Sequence, residues 1–165
     1  MPLRRPALSP ADVPEVRGTS YPEPFKSRVQ NRVKRKLGDA LGLTQFGVNL
    51  VTLEPGAQSA LRHWHTHEDE FVYLLSGEVT LITDAGEQLL SAGDCAGYPA
   101  ASEDAHHFVN RSRAPAVYLE VGSRIAQDKA LYPDDDLMWA NQDTGKPAAF
   151  GEPGTVPAHK NGKPY

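Results

Sequence analysis

The sequence predicts an all-β fold, a closed barrel or sandwich of short antiparallel strands. Between residues 46 and 123, short runs rich in Val, Leu, Tyr and Thr repeat at close spacing. Gly, Pro and Asp interrupt these runs, as in chains whose strands are joined by tight turns. No segment with helical periodicity separates them. Strands that follow one another so closely are typical of sandwiches and barrels.

Six runs in this region are predicted to be strands. They are GVNLVTL at 47–53, EFVYLL at 70–75, EVTLIT at 78–83, EQLLS at 87–91, HHFVN at 106–110 and APAVYLEV at 114–121. Ser76-Gly77 and Asp84-Ala85-Gly86 separate the second, third and fourth runs with residues that favour tight turns. These three runs are therefore predicted to form an antiparallel meander.

A single domain over residues 1–165 is predicted, because this length suits one hydrophobic core. The barrel core occupies about residues 46–123, after an extended N-terminal arm with the first strands at 1–45. Prolines at 2, 6, 10, 14, 22 and 24 break helices in the arm, which excludes a DNA-reading helix pair there. Its basic residues are interpreted as a solvated face; they are Arg28, Arg32, Lys34, Arg35 and Lys36.

The C-terminal tail, residues 124–165, loses the strand-like alternation and becomes rich in Pro, Gly and Asp. An irregular conformation is therefore predicted. The tail still holds apolar residues that need burial, against the barrel or against a partner subunit; they are Leu137, Met138, Trp139 and Phe150. Asn161-Gly162 predicts a turn near the end.

Composition excludes several classes of protein. With 17 basic and 21 acidic side chains the net charge is -4, which argues against binding to nucleic acid or to anionic lipid. No apolar run approaches the roughly 20 residues of a membrane span, and the first residues lack the apolar stretch of a signal peptide, so a cytoplasmic protein is expected. Cys95 is the only cysteine, which excludes an intramolecular disulfide and a Cys-based zinc site.

Residues 62–77, RHWHTHEDEFVYLLSG, carry the strongest chemical signal. Residues two apart in an extended strand share a face, so His63 and His65 can project inward together. Glu70 shares a face with Val72 and Leu74, and a carboxylate on an apolar face is costly unless something positive meets it. A divalent cation bound by the histidines would be the simplest partner.

The spacing of these residues resembles the two sequence motifs of the cupins. His63, His65, Glu70 and Gly77 match the first motif, and Gly93, Pro99, His106 and Asn110 stand in the order of the second. The match differs from the motifs in having six residues between Gly56 and His63, Ala101 in place of a glycine, and a longer loop at 102–105. The longer loop leaves open whether His106 or His107 faces inward, although the spacing to Asn110 favours His106.

The resemblance covers residues 47–121 and is closest in length to small single-domain bacterial cupins. It implies a double-stranded β-helix, or jelly-roll, barrel that holds one divalent metal ion through His63, His65, Glu70 and His106. The ion would be Mn, Fe, Co, Ni or Zn, and octahedral metals would keep two positions open for substrate. The expected ligand is a small oxygen-rich molecule.

Three classes of function remain open. The first is a metal-dependent isomerase, decarboxylase or dioxygenase, the second a non-catalytic binding module, and the third a dimerisation platform in which metal serves stability. A homodimer is expected in any case. Candidate catalytic residues are His67, His107 and Glu120, and candidate substrate contacts are Arg62, Tyr73, Tyr98 and Asn110. A sugar phosphate would need a basic pocket, which Arg62, Arg111 and Arg124 could supply if they converge.

Overall fold

The computed structural model describes residues 3–141 and 155–165. In these ranges the chain is built mainly from strands: β1 (Glu15–Arg17), β2 (Arg32–Lys36), β3 (Phe46–Leu53), β4 (Trp64–His65), β5 (Glu70–Ser76), β6 (Glu78–Thr83), β7 (Gly86–Ser91), β8 (Cys95–Tyr98), β9 (His107–Val109), β10 (Ala116–Ser123), β11 (Lys129–Tyr132), β12 (Leu137–Asn141) and β13 (Thr155–Ala158). One short helix, α1 (Leu37–Leu41), and 3-10 turns at Pro10–Asp12 and Phe25–Arg28 complete the described elements.

Two antiparallel sheets enclose the main core. One has the strand order β1-β2-β3-β10-β5-β8 and the other the order β7-β6-β9. Their inner faces bury a single cluster of mostly aliphatic side chains: Val51, Leu53, Ala57, Val72, Leu74, Val79, Leu81, Leu90, Phe108, Ala116 and Tyr118. The predicted double-stranded β-helix is confirmed.

Strand β5 shows how alternation in the sequence becomes two different faces. Val72 and Leu74 are buried, whereas Phe71 and Tyr73 are 43% and 40% exposed. The predicted division of this strand is therefore confirmed. The outer, apolar face has no cover within the described residues, and the expected homodimer stays a prediction.

The predicted meander is wrong at its first turn. β6 pairs with β7 as expected, but β5 pairs with β10 and β8 in the other sheet. Gly77 turns the chain from one sheet to the other with φ of 77°. A Cβ at this position would lie 2.7 Å from the carbonyl oxygen of Pro115, so the turn passes too close to the neighbouring backbone for any side chain.

The C-terminal tail is more regular than predicted. β11, β12 and β13 form antiparallel pairs, and β4 completes a sheet of order β13-β12-β11-β4. The tail and the arm share a second core, which consists of Tyr21, Phe25, Val29, Leu61, Ala130, Tyr132, Leu137 and Trp139. Burial of Leu137 and Trp139 is thus confirmed, as is the turn at Asn161-Gly162. Phe150 lies outside the described residues.

None of the helices within residues 3–141 and 155–165 combines the length and the apolar character needed to cross a membrane.

Candidate metal centre

The structure brings together the four side chains predicted to bind a metal. His65 lies in β4 and Glu70 opens β5, while His63 and His106 precede β4 and β9 and are joined by an antiparallel bridge. One oxygen of Glu70, Oε2, lies 3.1 Å from Nε2 of His106, 3.6 Å from Nε2 of His65 and 3.7 Å from Nε2 of His63. All three imidazoles therefore direct the same type of nitrogen at one carboxylate oxygen.

Hydrogen bonds on the far side of two imidazoles set this orientation. Nδ1 of His63 lies 2.8 Å from the carbonyl oxygen of Leu61, and Nδ1 of His65 lies 2.6 Å from Oδ2 of Asp128. Because these oxygens accept hydrogen bonds, each Nδ1 carries a proton, and Nε2 is the ring nitrogen left to bind a metal. A metal ion binds the lone pair of Nε2 and displaces any proton held there.

The contacts of Glu70 fit a bound divalent ion. Its Oε2 is buried and makes no hydrogen bond of acceptable geometry within the described residues. Two ligand atoms about 2.1 Å from one ion lie about 3 Å apart at right angles and about 4.2 Å apart on opposite sides of it. The separations from Oε2 of Glu70, 3.1 to 3.7 Å, fall within that range. Three neutral imidazole nitrogens and a carboxylate are also a donor set that first-row divalent metals accept.

The electrostatics of the cluster favour an ionised Glu70. Burial by itself would raise the pKa of Glu70, but the adjacent His65, His106 and His63 lower it below the ordinary value. Burial lowers the pKa of His63 to about 3. Burial would also lower the pKa of His65, but the charges of Glu70 and Asp128 raise it to about 9. The cluster therefore combines a carboxylate with at least one imidazole that stays neutral.

Two groups of donor atoms in the described residues are compact enough to hold a metal ion. His63, Glu70 and His106 form one, and His65, Glu68 and Asp128 form the other. His65 links them, because its two ring nitrogens face Glu70 and Asp128 respectively. The fold thus provides groups that could bind a metal at the place predicted from the sequence.

Tyr98 packs against His106, one of the candidate metal ligands. Its ring stacks on His106 with centroids 3.4 Å apart and an angle of 2° between the planes. Its hydroxyl is buried without a hydrogen-bond partner in the described part of the chain, and burial raises its pKa further above the ordinary value. Tyr98 was predicted to contact substrate, but the structure places it against a candidate metal ligand.

Asp128 was missed by the sequence analysis. It is 6% exposed, lies just before β11, and accepts hydrogen bonds from His65 and from the backbone amide of His67. A carboxylate bonded to the outer nitrogen of a metal-binding histidine orients the ring and raises its basicity. Aspartates in a Pro- and Asp-rich tail give no such signal in the sequence.

Replacing Asp128 by asparagine is expected to weaken metal binding about 10- to 100-fold, because His65 loses its orienting carboxylate. Competition with a chromophoric chelator would measure the affinity. Asp134→Asn is the matched control, since Asp134 pairs with Arg62 at the surface. Equal affinity in the wild type and Asp128→Asn would contradict the orienting role.

A cavity of about 410 Å³ opens beside the cluster. His63, His65, Glu70 and His106 lie in its lining, and the arm contributes residues Val16 to Tyr21 along one side. Gly47 and Gly122 leave space at the wall, because neither carries a side chain that would fill it. The cavity is large enough for a small polar ligand.

Strand β2 lines this cavity with basic residues. Arg32, Lys34 and Lys36 alternate with Val33 and Arg35, and the three alternate residues belong to the cavity lining. The sequence-based interpretation of these three as a solvated face is therefore wrong. Period-two alternation within RVKRK was the available signal, and it becomes informative only once the segment is known to be a strand.

Arg32 has an unusual environment. Its guanidinium donates to the carbonyl oxygens of Ser59 and Gly18, and its Nε is buried without a hydrogen-bond partner among the described residues. No carboxylate lies within ion-pair distance of it among the residues that the structure describes. A cation in a cavity without a counter-ion favours an anionic ligand.

The three candidate catalytic residues differ in position. Glu120 lines the cavity, whereas His67 and His107 do not. His67 is exposed and its ring contacts Thr66. His107 pairs with Ile82 in the other sheet, one residue out of phase with the buried His106. His106 is therefore the histidine that faces inward.

Three predicted substrate contacts lie outside the cavity lining. Arg62 forms ion pairs with Asp84 and Asp134, and Tyr73 is on the exposed face of β5. Asn110 is fully buried and donates to the carbonyl oxygens of Leu53 and Ala114, which makes its role structural. The structure therefore places none of these three side chains against the cavity.

The three arginines predicted to form a basic pocket, Arg62, Arg111 and Arg124, do not converge. Arg111 pairs with Glu87 at the surface, and Arg62 likewise points away. Only Arg124 of the three proposed arginines lines the cavity, where it pairs with Asp39 and donates to the carbonyl oxygen of Leu43. The other basic residues of the cavity lining include Arg32, Lys34 and Lys36 of β2.

Comparisons with known proteins agree with this architecture. A family model described as a cupin domain matches residues 49–122. A structure described as a sugar phosphate isomerase of the cupin superfamily, from Silicibacter pomeroyi, is 42% identical, with 97% of this chain and 96% of that chain covered and a TM-score of 0.87.

Two further structures are less similar. A protein from Acidithiobacillus ferrooxidans, described provisionally as a sugar phosphate isomerase, is 33% identical over 78% of this chain and 76% of that chain, with a TM-score of 0.65. The polyketide cyclase RemF from Streptomyces resistomycificus shares the fold at 22% identity, 73% and 80% coverage, and a TM-score of 0.58. No curated protein matches the sequence. With a 42% identical relative aligned over nearly the whole length of both chains, this chain belongs to the cupin superfamily.

Proposed function

We propose that this protein is a metal-dependent isomerase of a phosphorylated sugar. The observation that carries the proposal is one cavity lined by two unlike groups of side chains. The first group is the cluster of three imidazoles and Glu70, and the second is the inward basic residues of β2. A sugar phosphate has hydroxyl and carbonyl oxygens at one end and a dianion at the other, so its two ends match the two groups.

The relative from Silicibacter pomeroyi supports the substrate class, since it is described as a sugar phosphate isomerase and aligns over 97% of this chain. A divalent ion bound by His63, His65, Glu70 and His106 would supply Lewis-acid polarisation of two adjacent substrate oxygens. Other residues of the chain would bind the phosphate and limit the access of water. Arg32 would bind the phosphate, and the arm segment from Val16 to Tyr21 would restrict access of water to the cavity.

Charge in the cavity supports the same ligand. Arg17, Arg32, Lys34, Lys36 and Arg124 line it together with Asp39, Glu68, Glu70 and Glu120. Lys34 pairs with Glu120, and Arg124 pairs with Asp39, so these charges are compensated within the chain. Arg32 is the cation for which the described residues provide no carboxylate, and a phosphate would complete its hydrogen bonds.

The test is a binding and turnover experiment on metal-reloaded protein. Protein restored with Mn, Fe, Co, Ni or Zn would be incubated with phosphorylated aldoses and ketoses, and carbon NMR would follow the conversion of one isomer into the other. Conversion of a phosphorylated sugar, with no conversion of its unphosphorylated counterpart, is expected. Binding without conversion in every metal form would instead support the non-catalytic binding module.

Arg32→Gln is expected to weaken binding of a phosphorylated sugar roughly 10- to 100-fold, because charge-assisted hydrogen bonds to the phosphate are lost. Isothermal titration calorimetry would measure the change, and the affinity for the unphosphorylated sugar should stay the same. Arg111→Gln is the matched control, since Arg111 pairs with Glu87 outside the cavity. A wild type that binds phosphorylated and unphosphorylated sugars equally would contradict phosphate recognition by Arg32.

A further inference from the structure

A second polar cluster lies in the same cavity, separate from the candidate metal ligands. Nζ of Lys34 donates to Oε1 of Glu120 at 2.6 Å, and Nδ2 of Asn49 donates to the same oxygen at 3.0 Å. Only 21% of the Lys34 side chain and 22% of the Glu120 side chain are exposed. Lys34, Glu120 and Asn49 come from β2, β10 and β3, three adjacent strands of one sheet.

The strand register places this cluster one step from Glu70. On β10, Gly122 lies directly opposite Glu70, and Glu120 is the next inward residue along the same strand, opposite Val72. Inward residues of a strand are about 6.6 Å apart. Because Gly122 has no side chain, the space between the carboxylates of Glu70 and Glu120 is left to the cavity. A small molecule held beside Glu70 would therefore meet Glu120.

The described hydrogen bonds of Glu120 involve only one of its two carboxylate oxygens. Both hydrogen bonds go to Oε1, and Oε2 has no donor among the residues that the structure describes. Burial would raise the pKa of Glu120, but the charge of Lys34 lowers it, so the carboxylate stays ionised. Burial lowers the pKa of Lys34, which makes its ammonium group a better acid than an exposed lysine. An oriented base and an oriented acid thus lie side by side.

We propose that Glu120 and Lys34 are the catalytic acid–base pair of this cavity, with Asn49 as a positioning residue. The inference rests on the proposed isomerase function and names the groups that move protons in it. Oε2 of Glu120 removes the proton from the carbon that carries the hydroxyl group. Lys34 transfers protons to and from the substrate oxygens.

The reaction balances without an oxidant or a reductant. As the C–H bond breaks, its electron pair forms the carbon–carbon double bond of an enediol, and the former carbonyl oxygen takes a proton from the Lys34 ammonium. Glu120 then returns its proton to the former carbonyl carbon, using the electrons of that double bond. The hydroxyl on the other carbon loses its proton to the Lys34 amine and becomes the new carbonyl. Both side chains end in their starting forms, and substrate and product are isomers.

The first test replaces Glu120 by glutamine, which keeps the size of the side chain and an acceptor for Lys34 but cannot take up a proton. We expect kcat to fall by at least about 100-fold, as for loss of a general base. Exchange of the carbon-bound proton with deuterated solvent, followed by proton NMR, should fall equally. Metal content and the affinity for phosphorylated sugar should remain as in the wild type. Glu87→Gln, an exposed carboxylate on β7, is the matched control.

The second test separates proton transfer from a purely structural role of Lys34. Arginine at position 34 can keep the ion pair with Glu120, but a guanidinium does not release its proton at neutral pH. If Lys34 acts as the acid, Lys34→Arg should be as inactive as Lys34→Met while binding ligand normally. Restored turnover in Lys34→Arg would overturn the role of Lys34 as proton donor.

Different results would contradict the isomerase function and the assignment of Glu120 as its base. A wild type that isomerises no phosphorylated sugar in any metal form would overturn the proposed function and this inference together. A wild type that isomerises a phosphorylated sugar while Glu120→Gln retains both turnover and solvent exchange would overturn only the assignment of Glu120.

Discussion

Replacing His63 and His65 together by alanine is expected to reduce the metal content of the purified protein from about one divalent ion per chain to near zero. The double variant removes two of the three imidazole nitrogens that face Oε2 of Glu70. The remaining His106 and Glu70 provide too few ligands to retain an ion through purification. Elemental analysis of the two proteins, purified in parallel, would measure the difference.

The effect on metal content has a close control in the same segment. His67 is an exposed histidine two residues from His65, and its ring contacts Thr66 instead of the cluster. His67→Ala should therefore retain wild-type metal content. Thermal unfolding with and without chelator gives a second readout, because an ion at 100 times its dissociation constant stabilises the folded state by about 2.7 kcal/mol. Equal metal content in the double variant and the wild type would disprove the ligand assignment.

Gly77→Ala is expected to lower the free energy of unfolding by more than about 3 kcal/mol. Its φ of 77° lies in the left-handed region, where a residue with a Cβ is strained. In addition, that Cβ would lie 2.7 Å from the carbonyl oxygen of Pro115 and 2.9 Å from Cα of Ala116. Both atoms belong to the backbone of a neighbouring segment, so the sheets themselves would have to shift. Urea unfolding followed by circular dichroism would measure the loss.

Gly56 isolates the steric part of this prediction. Its φ is 79°, nearly the same as that of Gly77, but a Cβ there would meet no atom of the described residues within 4 Å. Gly56→Ala should therefore cost only the left-handed strain, about 1 to 2 kcal/mol. Equal losses in the two variants would show that close approach of the backbone at Gly77 contributes nothing.

Strand positions were predictable where alternation and apolar content are both strong. β5 and β6 occupy 70–76 and 78–83, within one residue of the runs identified in the sequence. Their partners were not predictable, because a short turn at Gly77 is compatible with a hairpin and with a crossing between sheets. The tail strands were missed for a different reason: Pro and Asp mask a pattern that becomes regular only by pairing with β4 and with each other.

Some residues of the candidate site were predictable from the sequence and others were not. His63, His65 and Glu70 could be identified from their spacing, since strand parity alone puts them on inner faces. Asp128 and Arg32 could not, because each reaches the site from a segment whose own sequence has no motif. Asn110 is the opposite case. Its place in a motif predicted a substrate contact, whereas its side-chain amide donates hydrogen bonds to the carbonyl oxygens of Leu53 and Ala114.

Local residue patterns predict the all-β class, the inner and outer faces of the central strands, and the group of imidazoles and carboxylate that could hold a metal. These properties depend on the alternation of apolar and polar residues within one strand, which can be read from neighbouring positions. The folded chain was needed to show that β2 lines the cavity, that Asp128 orients His65 and that Lys34 contacts Glu120. Such contacts join residues about 60 and 90 positions apart, and they depend on which strands pair, a choice made by the packing of the whole chain.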